Sequence, residues 1–251
     1  MSGTRSPSPT APATDPAALI VAHGQPSDPG GPEAVMADLA RAVEGLLPGW
    51  RIRGATLAGE GTLEAALAAL GPGAVLVYPH FMADGWFVRQ QLPRRLRAAG
   101  RPEAAVLPPF GLAPETAALA LRLAREGATA HGLAPEASTL LLAAHGSPSD
   151  PRPAAVTRRV AAAIARAGHF RSVRVGFVDE EPRLTVAARL PGPALCLPFF
   201  AARNSHVEVD LPEALAEAGF PGPILPPVGT DAAVPRIIAD GLARAALARV
   251  A

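Results

Sequence analysis

Short apolar runs, each cut off by a turn residue, alternate along this chain with stretches whose apolar positions recur every three or four residues. The first run, residues 18–22, stops at His23-Gly24. A run this short and this apolar predicts a strand buried on both faces. Pro32 then opens a helical pattern with Val35, Leu39, Val43 and Leu46 on one face, ended by Pro48-Gly49. A strand over 51–57 precedes a helix that Thr62 caps, with Leu63, Leu67 and Leu70 inward and Gly71 closing it. Strands over 74–78 and 104–107 flank a helix over 88–99 with Leu92 and Leu96 inward, and a helix over 114–126 follows. From residue 139 the order repeats. Strands are predicted over 139–143, 173–178, 194–197 and 224–225. Helices are predicted over 153–167, 183–190, 212–218 and 234–248, with Val156, Val160 and Ile164 inward on the first of them. Strands alternating with helices mean βαβ units and a parallel sheet covered on both faces. The expected class is α/β, with two four-stranded, doubly wound domains.

The repetition is visible in the residues themselves. LIVAHGQPSDP from Leu19 returns as LLAAHGSPSDP from Leu141, with eight of eleven positions identical. Pro79-x13-Pro93 returns without a gap as Pro198-x13-Pro212, and Leu107-Pro-Pro-Phe-Gly as Leu225-Pro-Pro-Val-Gly. Three landmarks in one order describe a duplicated domain, not a solenoid of short repeats. The expected organisation is a disordered tail over 1–16, one domain over 17–130, a linker over 131–137 and a second domain over 138–251.

Composition narrows the function. The 251 residues carry a net charge of +1, which gives no support for nucleic-acid or membrane adhesion. All 23 basic residues are arginine, which suits bidentate carboxylate recognition but also follows from a GC-rich genome. Cys196 is the only cysteine, so an intrachain disulfide or a thiolate zinc site is excluded, and its apolar setting predicts a buried thiol. No apolar stretch approaches the roughly 18 residues of a membrane span, and the first residues lack a signal-peptide core. A cytoplasmic protein is expected.

Parallel sheets bind ligands beyond the carboxyl ends of their strands. His23, His80 and His145 each follow a predicted strand end, and His206 lies in the segment Pro198–Pro212 after the third strand of the second half. Two loop histidines on one sheet edge can converge on one small object, as proton acceptors or as ligands for Fe, Co, Ni or Zn. Glu208 and Asp210 follow His206 closely enough to orient its ring or relay protons. Asp179, Glu180 and Glu181 follow the second strand of the same half, onto the same rim. Acids at a helix start are equally the residues that the helix dipole favours. Aligning Pro79 with Pro198 sets Phe87 against His206, Arg89 against Glu208 and Gln91 against Asp210. The second half is thus built for a metal or protons, whereas the first, with Arg89, Arg94 and Arg95, suits an anionic ligand. His131 and His169 are read as surface residues. His-Gly-Ser147 lacks the Gly-x-Ser-x-Gly frame of a nucleophile elbow, and no nucleotide-binding glycine motif is present.

A strand followed by Ala-His-Gly-Ser-x-x-x-Pro, a Phe-Val-Asp-Glu turn, and Pro-x-Phe-x5-His-x3-Asp-Leu-Pro together resemble the sirohydrochlorin chelatases of the CbiX type, class II tetrapyrrole chelatases related to ferrochelatase. The resemblance covers both halves and is closer in the second. It implies two chelatase-like domains facing across a cleft. It also implies ATP-independent insertion of Co²⁺ or Fe²⁺, or Ni²⁺ in some members, into sirohydrochlorin for cobalamin or siroheme biosynthesis. No organic cofactor is implied, and the metal is substrate. His145 and His206 would handle the metal and accept protons, with Glu180 and Glu181 assisting from the acidic cluster. His23, His80, Arg89, Arg152, Arg203 and Ser147 would bind the polyanionic tetrapyrrole. The duplication implies a monomer that is an intramolecular pseudo-dimer. The rival readings are a non-catalytic tetrapyrrole or metal carrier on the same fold, and a metal-dependent hydrolase, which would need three or more protein ligands.

Overall fold

The computed structural model describes residues 15–25 and 30–250. Nearly all of the predicted tail and the first Pro-Ser-Asp-Pro loop, residues 26–29, lie outside the described residues. Two all-parallel sheets form. The first uses β1 (Ala17–Ala22), β2 (Arg51–Thr56), β3 (Val75–Pro79) and β4 (Ala105–Val106) in the order β2-β1-β3-β4. The second uses β5 (Thr139–Ala144), β6 (Ser172–Phe177) and β7 (Ala194–Pro198) in the order β6-β5-β7.

The second sheet therefore has three strands where four were expected. Residues 224–225 reach it only through a bridge between Cys196 and Ile224. Pro223, Pro226 and Pro227 hem this segment in, and prolines carry no N–H for a ladder. The first sheet's fourth strand, β4, is itself only two residues long.

Residue parity along the strands sorts the core into layers. Ala18, Ile20 and Ala22 of β1, Leu76 and Tyr78 of β3, Leu140, Leu142 and Ala144 of β5, and Leu195 and Leu197 of β7 enter one apolar core shared by both halves. Their alternate neighbours, such as Leu19 and Val77, pack under α2 (Thr62–Leu70) and α3 (Leu92–Ala98) on the outer face of the first sheet. Leu141 and Cys196 do the same under α6 (Leu184–Ala187) and α7 (Leu211–Glu217) in the second half. Cys196 is buried, as expected, and burial pushes its thiol pKa up.

The shared core is closed by helices that cross over. α4 (Thr116–Ala130), the last helix of the first half, packs on α5 (Arg152–Arg166) and β7 of the second. α8 (Val234–Val250), the last of the second half, packs on α1 (Gly30–Leu46) and β3 of the first. Arg122 on α4 reaches Asp231 at 2.6 Å, and Arg244 on α8 reaches Glu115 at 2.8 Å. α1 also corrects its expected face. It buries Met36, Ala40 and Val43, whereas Val35 and Leu46 are exposed. The helix lies so close to β2 that a Cβ at Gly54 would run into the Met36 carbonyl, so the face that carries Met36 is the one pressed on the sheet.

Candidate metal-handling site

Each β1-like strand ends in a His-Gly turn whose glycine has positive φ, +79° at Gly24 and +75° at Gly146. At Gly146 a Cβ would also come within 2.8 Å of the Glu180 Cβ, so glycine is required by both conformation and space. The turn leaves His145 at the sheet's carboxyl edge. The chain leaving β6 then continues the ladder, with Asp179 N–H donating to the His145 carbonyl at 2.9 Å. That bond lays Asp179 beside His145, with its Oδ2 3.5 Å from Nδ1.

His206 comes from a different device. Residues His206–Asp210 form a π-helical turn running into α7, and Leu211 N–H donates to the His206 carbonyl, five residues back. Pro212 explains the widening: it has no N–H for the Glu208 carbonyl, and its ring would clash with that carbonyl in an α-helical register. The first half repeats this turn over Phe87–Gln91, ahead of Pro93. Asn204 Oδ1 accepts from Val207 N–H at 3.1 Å and fixes the entry to the second turn.

Four side chains meet here. His145 Nε2 and His206 Nε2 lie 3.1 Å apart, with rings edge to face at 4.2 Å between centroids. His206 Nδ1 donates to Asp210 Oδ2 at 2.6 Å, and His145 Nδ1 faces the Gly146 carbonyl at 3.1 Å as well as Asp179. Every partner of the two Nδ1 atoms is an acceptor, so both Nδ1 atoms carry hydrogen. Both Nε2 atoms therefore face one gap, with Asp179 and Asp210 on the far sides of the two rings. Both imidazoles are more than a third exposed, and the pair stands open on the rim. Two recessed cavities among the described residues lie elsewhere, one at the amino ends of the first sheet beside Trp50 and Arg249, the other behind β6 beside Leu184 and Ala214.

The other expected site residues scatter. Glu180 turns away from the histidines. Its carboxylate accepts from Ser147 N–H at 3.1 Å and pairs with Arg158 at 3.3 Å, so it shapes the His-Gly turn. Glu181 has a 79% exposed side chain that accepts from Arg183 N–H. The acid at His145 is Asp179. Ser147 Oγ accepts from Asp150 N–H at 3.2 Å and thus braces its own loop, and Arg152 pairs with Asp150 at 2.9 Å. Arg89 pairs with Asp84 at 3.4 Å, and Arg95 is committed to Glu64, whereas Arg203 is exposed. His80, expected on the ligand rim, is 2% exposed. Its Nε2–H donates across the halves to the Ala201 carbonyl at 2.8 Å, and burial pushes its pKa down to about 4. It follows β3 by one residue, but there the two halves close over the rim. In the first half His23 meets Phe87 edge to face at 4.2 Å, the geometry of the histidine pair with a phenyl ring in place of the second imidazole.

The CbiX family model matches residues 139–245, the segment that holds all four converging side chains. The solved structure of CbiX, the terminal enzyme for biosynthesis of siroheme in denitrifying bacteria, superposes with a TM-score of 0.84 at 45% identity, over 91% of this chain and 98% of that one. The chain belongs to the CbiX family. Wider likenesses show the CbiX fold alone. A multidomain protein of Deinococcus radiodurans with structural similarity to chelatases has a TM-score of 0.72 at 23% identity, over 91% of this chain and 55% of its own. SirB of Bacillus subtilis, solved with Fe³⁺, has a TM-score of 0.72 at 16% identity, over 92% of this chain and 95% of its own. No curated protein sequence matches the chain. No described helix is long and apolar enough to cross a membrane.

Proposed function

We propose that this CbiX-family chain inserts a divalent metal, Co²⁺ or Fe²⁺, into sirohydrochlorin without ATP, and that His145 and His206 perform the transfer. The observation that carries the reading is the facing pair of Nε2 atoms. With metal–nitrogen bonds of about 2.1 Å, nitrogens 3.1 Å apart subtend about 95° at a shared ion, an angle that a hydrated divalent cation accepts at adjacent positions. Asp179 and Asp210 hold the imidazoles by their other nitrogens and so fix how the rings face each other. Among the described residues no third His, Cys, Asp or Glu converges to cage the ion, so its other positions are left to water and to pyrrole nitrogens.

Insertion exchanges one M²⁺ for two pyrrole protons. As the ion passes to the ring, it frees two Nε2 lone pairs, enough to take both protons. An open rim suits a large planar ligand better than a closed pocket would, and exposed Arg203 is free to meet its carboxylates.

The test is anaerobic absorbance of the protein mixed with sirohydrochlorin and Co²⁺, beside His145→Ala and His206→Ala. Insertion above the protein-free rate, reduced at least about 100-fold in each variant, is expected. A spectral shift without faster insertion would make the protein a carrier. No response to Co²⁺ or Fe²⁺ would overturn the substrate assignment.

A further inference from the structure

The four converging residues of the second half have clear counterparts in the first. His145 corresponds to His23, and Asp179 to Ala58, whose N–H donates to the His23 carbonyl at 2.9 Å just as that of Asp179 does to His145. His206 corresponds to Phe87 and Asp210 to Gln91. The first half has therefore kept the frame while losing both acids and one imidazole. It no longer offers paired ligands for a cation. In their place stands a connected aromatic group. Trp86 packs edge to face on Phe87 at 5.1 Å, Phe87 does the same on His23 at 4.2 Å, and Phe81 stacks behind Phe87 at 6.4 Å.

Trp86 is 51% exposed, although tryptophan is the largest apolar side chain and its counterpart in the second half is Ser205. Its position is at the seam between halves. A Cβ on the preceding Gly85 would lie 3.4 Å from Asp150 Oδ2, and Asp150 belongs to the loop that begins at His145. By contrast, Phe199 and Phe200 after β7 are 1% and 6% exposed. The open aromatic surface of the rim is on the side that has lost its metal chemistry. Position 89 has changed sign too, from Glu208 in the second half to Arg89 here.

We infer that the exposed indole of Trp86, braced edge to face by Phe87, which His23 meets in turn, is the stacking face for the conjugated macrocycle, with Arg89 at its carboxylate edge. One copy of the duplicated site holds the ring while the other presents the ion. The inference rests on the tetrapyrrole reading above and assigns that ligand a place. An indole face binds extended π-systems without needing a particular hydrogen-bond pattern, and a guanidinium beside it pairs with carboxylates.

The test is equilibrium titration with metal-free sirohydrochlorin, followed by absorbance, for the unmodified protein, Trp86→Ala, Trp86→Phe and His206→Ala. Trp86→Ala should bind the ring about ten-fold more weakly, the loss typical of removing one stacking aromatic. Trp86→Phe should restore most of the affinity, and His206→Ala should bind almost normally. In insertion assays Trp86→Ala should raise KM for the tetrapyrrole and leave KM for Co²⁺ unchanged, a split that general destabilisation would not produce. Unchanged ring affinity in Trp86→Ala, with loss in His206→Ala, would overturn the stacking face and place the ring on the second half alone. Failure of the unmodified protein to bind sirohydrochlorin would overturn the functional reading, and the stacking face with it.

Discussion

Two histidines that each follow a strand end do opposite things here, and burial separates them. His145 is more than a third exposed, so an arriving ion can reach its ring. His80 is sealed between the halves, with its Nδ1 unpartnered among the described residues and the Phe110 ring 5.3 Å away. Its cation is disfavoured, and its pKa falls from 6.5 to about 4. In the unfolded chain the same residue binds a proton below about 6.5. Between these values the unfolded state holds more protons, so stability rises with pH, is complete above about 6.5, and is lost as pH falls toward 4. The full difference is about 3 kcal/mol. Denaturant midpoints measured from pH 4 to 7 should show this slope, and His80→Phe should flatten it. An equal slope in both proteins would mean that other groups produce it. The bond from His80 to Ala201 also ties the first half to the loop that leads into His206.

At the scale of elements, repeated proline and glycine positions set geometry that apolar periodicity does not report. The sequence predicts an ordinary helix after β3 and after β7. The structure begins each with a five-residue π turn, because Pro93 and Pro212 forbid the α-helical bond at those points. The widened turn is what aims His206 at His145 while Asp210 stays on its Nδ1. Pro212→Ala should leave the protein folded and lower insertion about ten- to hundred-fold, since small misplacement of a reacting group costs on that order. A variant with the full rate would show that the wide turn does not aim the ring. The repeated Pro-Pro-x-Gly landmark has an equally local cause. Gly111 and Gly229 donate their N–H groups to Phe81 and Phe200 at 2.9 Å, so close to the loop that a Cβ would strike the carbonyls of Met82 and Ala201. A side chain at Gly229 would therefore displace the carbonyl that His80 holds.

For the whole molecule, exchange of α4 and α8 makes the two halves interdependent. The central core draws on both sheets, and each half lends the other a helix that covers apolar strand faces. Cutting the chain near residue 138 would expose Leu195 and Leu197 of β7 where α4 had packed, which removes favourable burial on the order of 25 cal/mol per Å². Unfolding followed by far-ultraviolet circular dichroism and by tryptophan fluorescence should give one coincident transition. Residues 138–251 produced alone should lack a cooperative transition. A sharp independent transition for that fragment would mean that the exchanged helix is dispensable.

The amino-acid sequence by itself determined seven of the eight predicted strands, the duplication, the buried Cys196, and the rim on which His145 and His206 stand. These follow from short-range causes: a strand's two-sided burial, a glycine's left-handed turn, and the two-residue parity that sends Leu141 and Leu142 into different layers. Tertiary structure alone decided which acid serves which histidine. Asp179, Glu180 and Glu181 are consecutive and chemically alike, but only Asp179 is carried beside His145 by a ladder bond between separate strands, while its neighbours turn to Ser147 and Arg183. It also decided that His80 is buried, that residues 224–225 add only a bridge, and that the last helix of each half crosses to the other. Each of these depends on the distance between segments far apart in the chain, which no local pattern encodes. Aligning the repeats set Phe87 against His206; that its ring lies against His23 as one imidazole lies against the other was fixed only by the packed halves.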